Sequence, residues 1–415
     1  MKKPLNKNLL KTRVLIALFI VFLFSVLFVP SVINRKPQIQ TKLLITAIGI
    51  DVKEGEEVEL SAIAVMPQSG EQAMVKSITV ESNEKTIGQC LETISELYGK
   101  ETELGLCGLI VLGESTQDKN VMPYLEFLIS SAFVSPGTYV VNSSNSSAKE
   151  ILSLASNLDQ SSAQILSSTV DFNATTCNIT TVTLLEFVSQ HYSPSCASVV
   201  PTIEVDKSEE QSKTDGASKE NFANNKSSQS GEQNSKKTPV KSLKKTSLYK
   251  NGIKLGELNS EQTLGYNVTK PENMQGLIAV DNVIINGENL GEIVCSIYSK
   301  DCKSKVEFKN GKPTLNFDVT LTLHLLAQNK IIKQWEKNGR ESNEVILPVI
   351  TAFEEKIKSI IKSGVEKTKE LDCDSFLIEN KFYRFKSKEY KQYKKSNTDF
   401  LKDVEVSVSA KVSFK

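Results

Sequence analysis

Residues 14–33 run twenty positions without a charge, and the reading of the rest of the chain depends on what that run does. A helix rises about 1.5 Å per residue and the hydrocarbon core of a bilayer is about 30 Å thick, so the run is just long enough to span. Lys2, Lys3, Lys7, Lys11 and Arg13 precede it, whereas only Arg35 and Lys36 follow closely. That asymmetry predicts a cytoplasmic basic tail over 1–13, a single transmembrane anchor over 14–33, and everything after it outside. A cleaved secretory signal is the competing reading, with Val29, Pro30 and Ser31 as a poor cleavage site. The length of the run and the lack of an Ala-x-Ala step favour the uncleaved anchor.

Beyond the anchor, the pattern switches between a period of two and a period of three to four. The segment 42–51 reads as a buried strand and 58–66 as its half-exposed neighbour, with a charged turn holding Gly55 between them. Thr86 precedes Ile87, Cys90, Leu91, Ile94 and Leu97, whose spacing stripes one face of a helix that ends at Gly99. A strand at 106–112, a helix near 121–129, a strand at 138–142 and helical stretches near 148–154 and 182–191 follow. Strands alternating with helices predict an α+β domain over 38–204, its sheet covered by helices and opened by an antiparallel hairpin.

From 206 to 239 the apolar side chains are Ala217, Phe222 and Ala223, too few to offset the entropy of ordering the chain. A disordered linker over 205–245 is expected. Asn251-Gly252 then signals a tight turn between strands, 261–266 reads as one helical turn ended at Gly265, and 277–285 and 292–299 read as strands. Together these predict a small, mostly β middle domain over 246–302. In the last domain, 303–415, a strand turns at Asn310-Gly311 into a run where Leu315, Phe317, Val319, Leu321 and Leu323 alternate with polar residues. Val349, Phe353, Ile357, Ile360, Ile361 and Val365 then predict a long amphipathic helix over 345–371 laid on that sheet, and 404–414 alternates again.

Composition narrows the function. Fifty basic residues against forty-nine acidic ones leave a net charge of +1, so no global field calls for nucleic acid as a partner. Seven cysteines include no C-x-x-C pair and no neighbouring histidine cluster, which excludes the usual zinc pattern. Buried free thiols are expected; Cys177 with Cys196 and Cys295 with Cys302 are the pairs that an extracytoplasmic setting would allow to oxidise. No cofactor and no metal site is expected.

Four segments carry a resemblance. They are LLITAIGIDVKEGEEVELSAIAVMP at 43–67, GLIVLGES at 108–115, SLYKNGIKLGELNSEQTLGYNV at 247–268, and the stretch 373–414 that opens CDSFLIENKFYRF. In that order they resemble the Ger(x)C family, the C-subunits of bacterial spore germination receptors. The resemblance implies a three-lobe α+β ectodomain joined to two integral membrane subunits at the inner spore membrane, in a complex that answers small nutrient germinants. It also marks departures. The family's lipobox cysteine is missing, since the first cysteine is Cys90; Tyr390 and Asn397 stand where tryptophans are usual, and Ser387 where proline is common. These imply a divergent member held by a peptide anchor in place of lipid.

Catalysis has little to work with. Only His191 and His324 are present, and His324 falls on the wet face of the alternating strand. Ser146 and Lys149 match S-x-x-K, the pattern of serine acyl-enzymes, but Ser359 with Lys362 and Ser242 with Lys245 match it equally well. Ser147, followed by Ala148, Lys149 and Glu150, reads better as a helix N-cap. The chain is therefore expected not to be an enzyme. A serine-type wall-modifying hydrolase and an anchored structural or wall-binding protein are the alternatives. The candidate partner-binding patch is Arg384, Lys388, Lys391, Lys394 and Lys395, in a basic stretch interleaved with Tyr383, Phe385, Tyr390 and Tyr393. It would dock an acidic partner or membrane headgroups, or else form a solvated helix face with its aromatics in the core.

Overall fold

Strand β1 (Lys42–Val52) is mostly apolar and is buried at every position from Ala47 to Val52, on both of its faces, which places it inside a sheet and not at an edge. The computed structural model describes residues 15–22, 41–66, 76–130, 132, 134–156, 168, 170–172, 175–205, 240–272, 274–285, 287–326, 343–396 and 399–415. Of the uncharged run it describes 15–22, a helix whose apolar side chains from Leu15 to Phe22 are exposed. The rest of the expected anchor, the tail 1–13 and residues 206–239 of the expected linker lie outside the described residues. Among the described residues no helix is long and apolar enough to cross a membrane.

Around β1 a nine-stranded sheet assembles with β2 (Val58–Met66), β3 (Lys76–Glu84), β4 (Glu101–Glu103), β5 (Leu109–Leu112), β6 (Tyr139–Ser143), β7 (Ala197–Val205), β8 (Val240–Lys250) and β9 (Ile253–Leu258). Its order is β3-β2-β1-β5-β6-β7-β8-β9, with β4 beside the start of β1. The expected hairpin opens it: β1 and β2 pair antiparallel from Leu44 opposite Val65 to Val52 opposite Val58. Helix α1 (Ile87–Tyr98) is capped at its start by the Thr86 hydroxyl and stopped by Gly99 in the left-handed conformation. It covers one face with α2 (Met122–Ser130) and α4 (Leu184–His191), while α3 (Ala148–Ser156) covers the other.

The second lobe is a four-stranded sheet, β10 (Gly276–Val280), β13 (Ile293–Lys309), β14 (Lys312–Leu325) and β15 (Glu405–Phe414), in the order β10-β13-β14-β15. A two-stranded ribbon of β11 (Ile284–Ile285) and β12 (Glu288–Asn289) precedes β13. Leu315, Phe317, Val319, Leu321 and Leu323 of β14 are buried, and His324 is exposed on the wet face as the alternation requires. Parallel pairing of β14 with β15 needs a crossover. It consists of α6 (Asn343–Glu370), α7 (Ile378–Phe385), α8 (Ser387–Ser396) and α9 (Phe400–Asp403); α5 (Ser260–Val268) lies earlier in the chain and packs on α6.

The expected middle domain over 246–302 does not stand apart; the two sheets divide it. Strands β8 and β9 complete the first sheet, and residues 240–245, expected as linker, form the start of β8. Successive side chains of a strand point to opposite faces, so Leu248 enters the core of the second lobe and Tyr249 that of the first. Strand β13 runs unbroken through the expected boundary at 302 and 303. Nor does Gly265 end a helix, since α5 continues to Val268. Buried hydroxyls stitch the lobes: Thr246 donates to Thr180 at 3.0 Å, and Thr263 donates to Thr246 at 3.1 Å.

Candidate functional site

The basic stretch singled out above becomes the helix pair α7 and α8, and the way α7 begins determines where its side chains point. Leu377, the residue before α7, is in the left-handed conformation and offers no side-chain cap. Asp374 supplies the cap from upstream, its carboxylate accepting from the backbone N–H of Ile378 at 2.8 Å and of Glu379 at 2.7 Å. The hydroxyl of Ser195, from the first lobe, donates to the same carboxylate at 2.6 Å and accepts from the Asn380 N–H at 3.2 Å. Asp374 is buried, and that burial raises its pKa against the opposing pull of these donors. One carboxylate thus starts α7 and fixes it to the first lobe.

With the start fixed, the helix pair sorts its residues. Phe382 is fully buried against Phe308 and Phe400, and Tyr390 is buried with its hydroxyl donating to Glu379 at 2.6 Å. Tyr393 is half-buried and donates to Asp403 at 2.9 Å. These aromatics belong to the core. On the outer side Arg384, Lys388, Lys391, Lys394 and Lys395 are exposed together with Tyr383 and Phe385. The Lys391 ammonium lies 5.5 Å from the Tyr383 ring centre, Arg384 lies 5.3 Å from that of Phe385, and Lys394 pairs with Glu379 at 2.9 Å. Lys381 departs from this surface: it turns inward and donates to the Phe376 carbonyl, and burial lowers its pKa.

Arg384 also stands on the rim of a cleft of about 620 Å³ between the lobes. The first lobe contributes Tyr139, Thr183 and Glu186 to its walls; the second contributes Tyr266, Lys270, Glu272, Phe376 and Lys381. Lys270, just past α5, is half-buried with its ammonium 5.0 Å from the centre of the Tyr266 ring. Burial lowers its pKa, and Glu272 and Glu186 partly offset that. The sequence marks Arg384 but not this cleft. The remaining wall residues come from separate stretches of chain whose proximity is a product of the fold.

The other candidates are not brought together. The Ser146 hydroxyl is buried without a hydrogen-bond partner among the described residues, and the Lys149 ammonium is paired with Glu81. Ser147 and Glu150 form a reciprocal cap at the start of α3: the Glu150 N–H donates to the Ser147 hydroxyl at 3.1 Å and the Ser147 N–H to the Glu150 carboxylate at 3.2 Å. All seven cysteines are free thiols. Cys295 and Cys302 lie seven positions apart on β13, about 23 Å at roughly 3.3 Å per residue, far beyond the about 7 Å limit between the Cα atoms of a disulfide. Burial pushes the Cys107, Cys295 and Cys373 thiols up to about 12, so none is a thiolate at neutral pH. Among the described residues no cluster of His, Cys, Asp and Glu is arranged to hold a metal ion.

Comparison with known proteins gives two successive matches to family models. The spore germination protein N-terminal domain matches residues 35–205, and the spore germination B3/GerAC like C-terminal domain matches residues 244–415. Among solved structures the chain is similar to the crystal structure of the GerBC protein, at 12% identity and a TM-score of 0.50, over 88% of this chain and 96% of that one. At that identity the likeness is one of fold, a mixed α+β architecture. A search of curated proteins found no match. The two domain models follow each other in order across most of the chain, from 35 to 415, and the chain therefore belongs to the Ger(x)C family of spore germination proteins.

Proposed function

We propose that the chain is a non-catalytic subunit of a spore germinant receptor, anchored at the inner spore membrane through 14–33 and docked to two integral membrane subunits through the outer surface of α7 and α8. The observation that carries the reading is the ordered pair of family matches, which covers both lobes. The separation of the Ser146 hydroxyl from the Lys149 ammonium, which pairs with Glu81, and the capping role of Ser147 support a role in binding over chemistry. Support for the surface comes from its composition: five cations, one of them tied to a carboxylate, beside two exposed aromatic rings. Exposed arginine and aromatic residues are over-represented where proteins bind one another.

Affinity capture of the tagged chain from detergent-solubilised spore membranes is expected to recover two multi-span subunits. Recovery of wall material alone would support the wall-binding alternative. Support for the anchor is the helix at 15–22, apolar on all sides and exposed, within a run of the right length. A cysteine introduced as Gln38→Cys should accordingly react with an impermeant maleimide from the outer face, in a chain that stays membrane-bound. A soluble form beginning near Val32 would contradict the anchor.

A further inference from the structure

Among the described residues, the cleft between the lobes contains a charge that no side chain answers. Among the described residues the Lys270 ammonium has no hydrogen bond and no ion pair, and it lies 5.0 Å from the centre of the Tyr266 ring. A half-buried ammonium is ordinarily paired, because taking it out of water costs more than a ring face returns. Glu186, on the facing wall, is already committed: its carboxylate caps α4, accepting from the Thr183 N–H at 2.8 Å and the Thr183 hydroxyl at 3.0 Å. Glu272 is near enough to act on Lys270 through space but forms no ion pair with it. Lys381 and Arg384 stand on the same walls, the first bonded to a backbone carbonyl and the second resting on Phe385, neither with a carboxylate partner among the described residues.

We infer that this cleft binds a small organic carboxylate, with Lys270 as its counter-charge and the rings of Tyr266 and Phe376 against its apolar body. Three cations and two carboxylates line the cleft, and behind the walls Asp374 acts on Lys381 and Lys300 on Lys270, one charge of each sign, so the balance leaves room for one negative charge; the two glutamates disfavour a dianion such as phosphate. A volume of about 620 Å³ suits a ligand of one ring or a short chain, and an inter-lobe crevice is a common place for such a site. Because both lobes line the cleft, the occupant fastens one to the other. The inference stands apart from receptor membership, since it concerns this chain alone.

The full chain in detergent micelles, titrated with benzoate by calorimetry at fixed ionic strength, tests it. Saturable binding at about millimolar or tighter is expected, with a rise in melting temperature that follows occupancy. Lys270→Gln should weaken benzoate at least about tenfold, Lys270→Arg should hold it within about threefold, and Lys411→Gln, at an exposed position of β15 outside the cleft, should leave it unchanged. Inorganic phosphate and benzylammonium should each bind at least about tenfold more weakly than benzoate. Absence of saturable binding, equal binding of phosphate or benzylammonium, or an undiminished K270Q would each overturn the proposal. If K270Q does not fold, Glu272→Gln decides, since that side chain is exposed. Removing its repulsion should tighten benzoate about twofold, and no change contradicts the site.

Discussion

Replacing Asp374 with alanine is expected to destabilise the protein by about 3 kcal/mol, read as a fall in the urea midpoint. The carboxylate is 2% exposed and answers three donors at once: the Ser195 hydroxyl and the N–H groups of Ile378 and Glu379. Alanine leaves all three buried or half-buried without an acceptor, and an unsatisfied buried donor costs about 1–3 kcal/mol. The same change removes the cap of α7 and its tie to the first lobe, so the outer surface of α7 and α8 should loosen with it. Asp374→Asn retains an acceptor oxygen but turns an amide N–H₂ toward one donor, and should fall between wild type and alanine. Because burial raises the folded-state pKa of Asp374, the folded protein holds that proton more tightly than the unfolded chain. That contribution is fully present below the ordinary aspartate value of about 3.9 and is lost as pH rises through the raised value, so the gap between wild type and alanine should narrow with rising pH. A loss under about 1 kcal/mol for alanine would mean that α7 does not depend on this carboxylate for its start or for its tie to the first lobe.

Gly265→Ala should lower stability by about 2 kcal/mol, although helix propensity alone favours alanine by about 1 kcal/mol. A Cβ at 265 would lie 2.6 Å from the carbonyl oxygen of Ile360 and 2.9 Å from the N–H nitrogen of Ile361. Both are backbone atoms inside α6, which cannot rotate away as a side chain could. Helix α5 must therefore withdraw from α6, opening the core between Leu264, Ile360 and Ile361. Equal or higher stability of the alanine variant, by chemical denaturation, would show that the two helices are free to separate.

Much of the fold could be read from local pattern. Thr86 and Gly99 bracket α1 because a cap and a left-handed stop act on the helix they bound. The alternation of β14 and the apolar stripe of α6 are likewise local, and both lie where periodicity puts them. What escaped was set by long-range pairing. Leu248 and Tyr249 are both buried because β8 has a core on either side, and nothing near them in sequence announces that β7 is their partner. The boundary expected between 302 and 303 falls instead inside β13, which runs from Ile293 to Lys309. Gly265 carries the signal of a helix stop while serving a helix crossing. The basic surface was legible as composition, but its division of aromatics was not. Tyr383 and Tyr390 sit on two helices that part at Lys386, so no single helical period connects them.

Charge reversal on that surface tests the central claim most directly. The triple variant Lys388→Glu, Lys391→Glu and Lys395→Glu leaves the Lys394 pair with Glu379 in place and alters exposed side chains only. Its thermal stability should stay within about 1 kcal/mol of wild type, as surface substitutions usually do. Captured from spore membranes in parallel with wild type, it should recover the two integral membrane subunits at a small fraction of the wild-type yield. Undiminished recovery of both subunits, with germination intact, would contradict docking through α7 and α8.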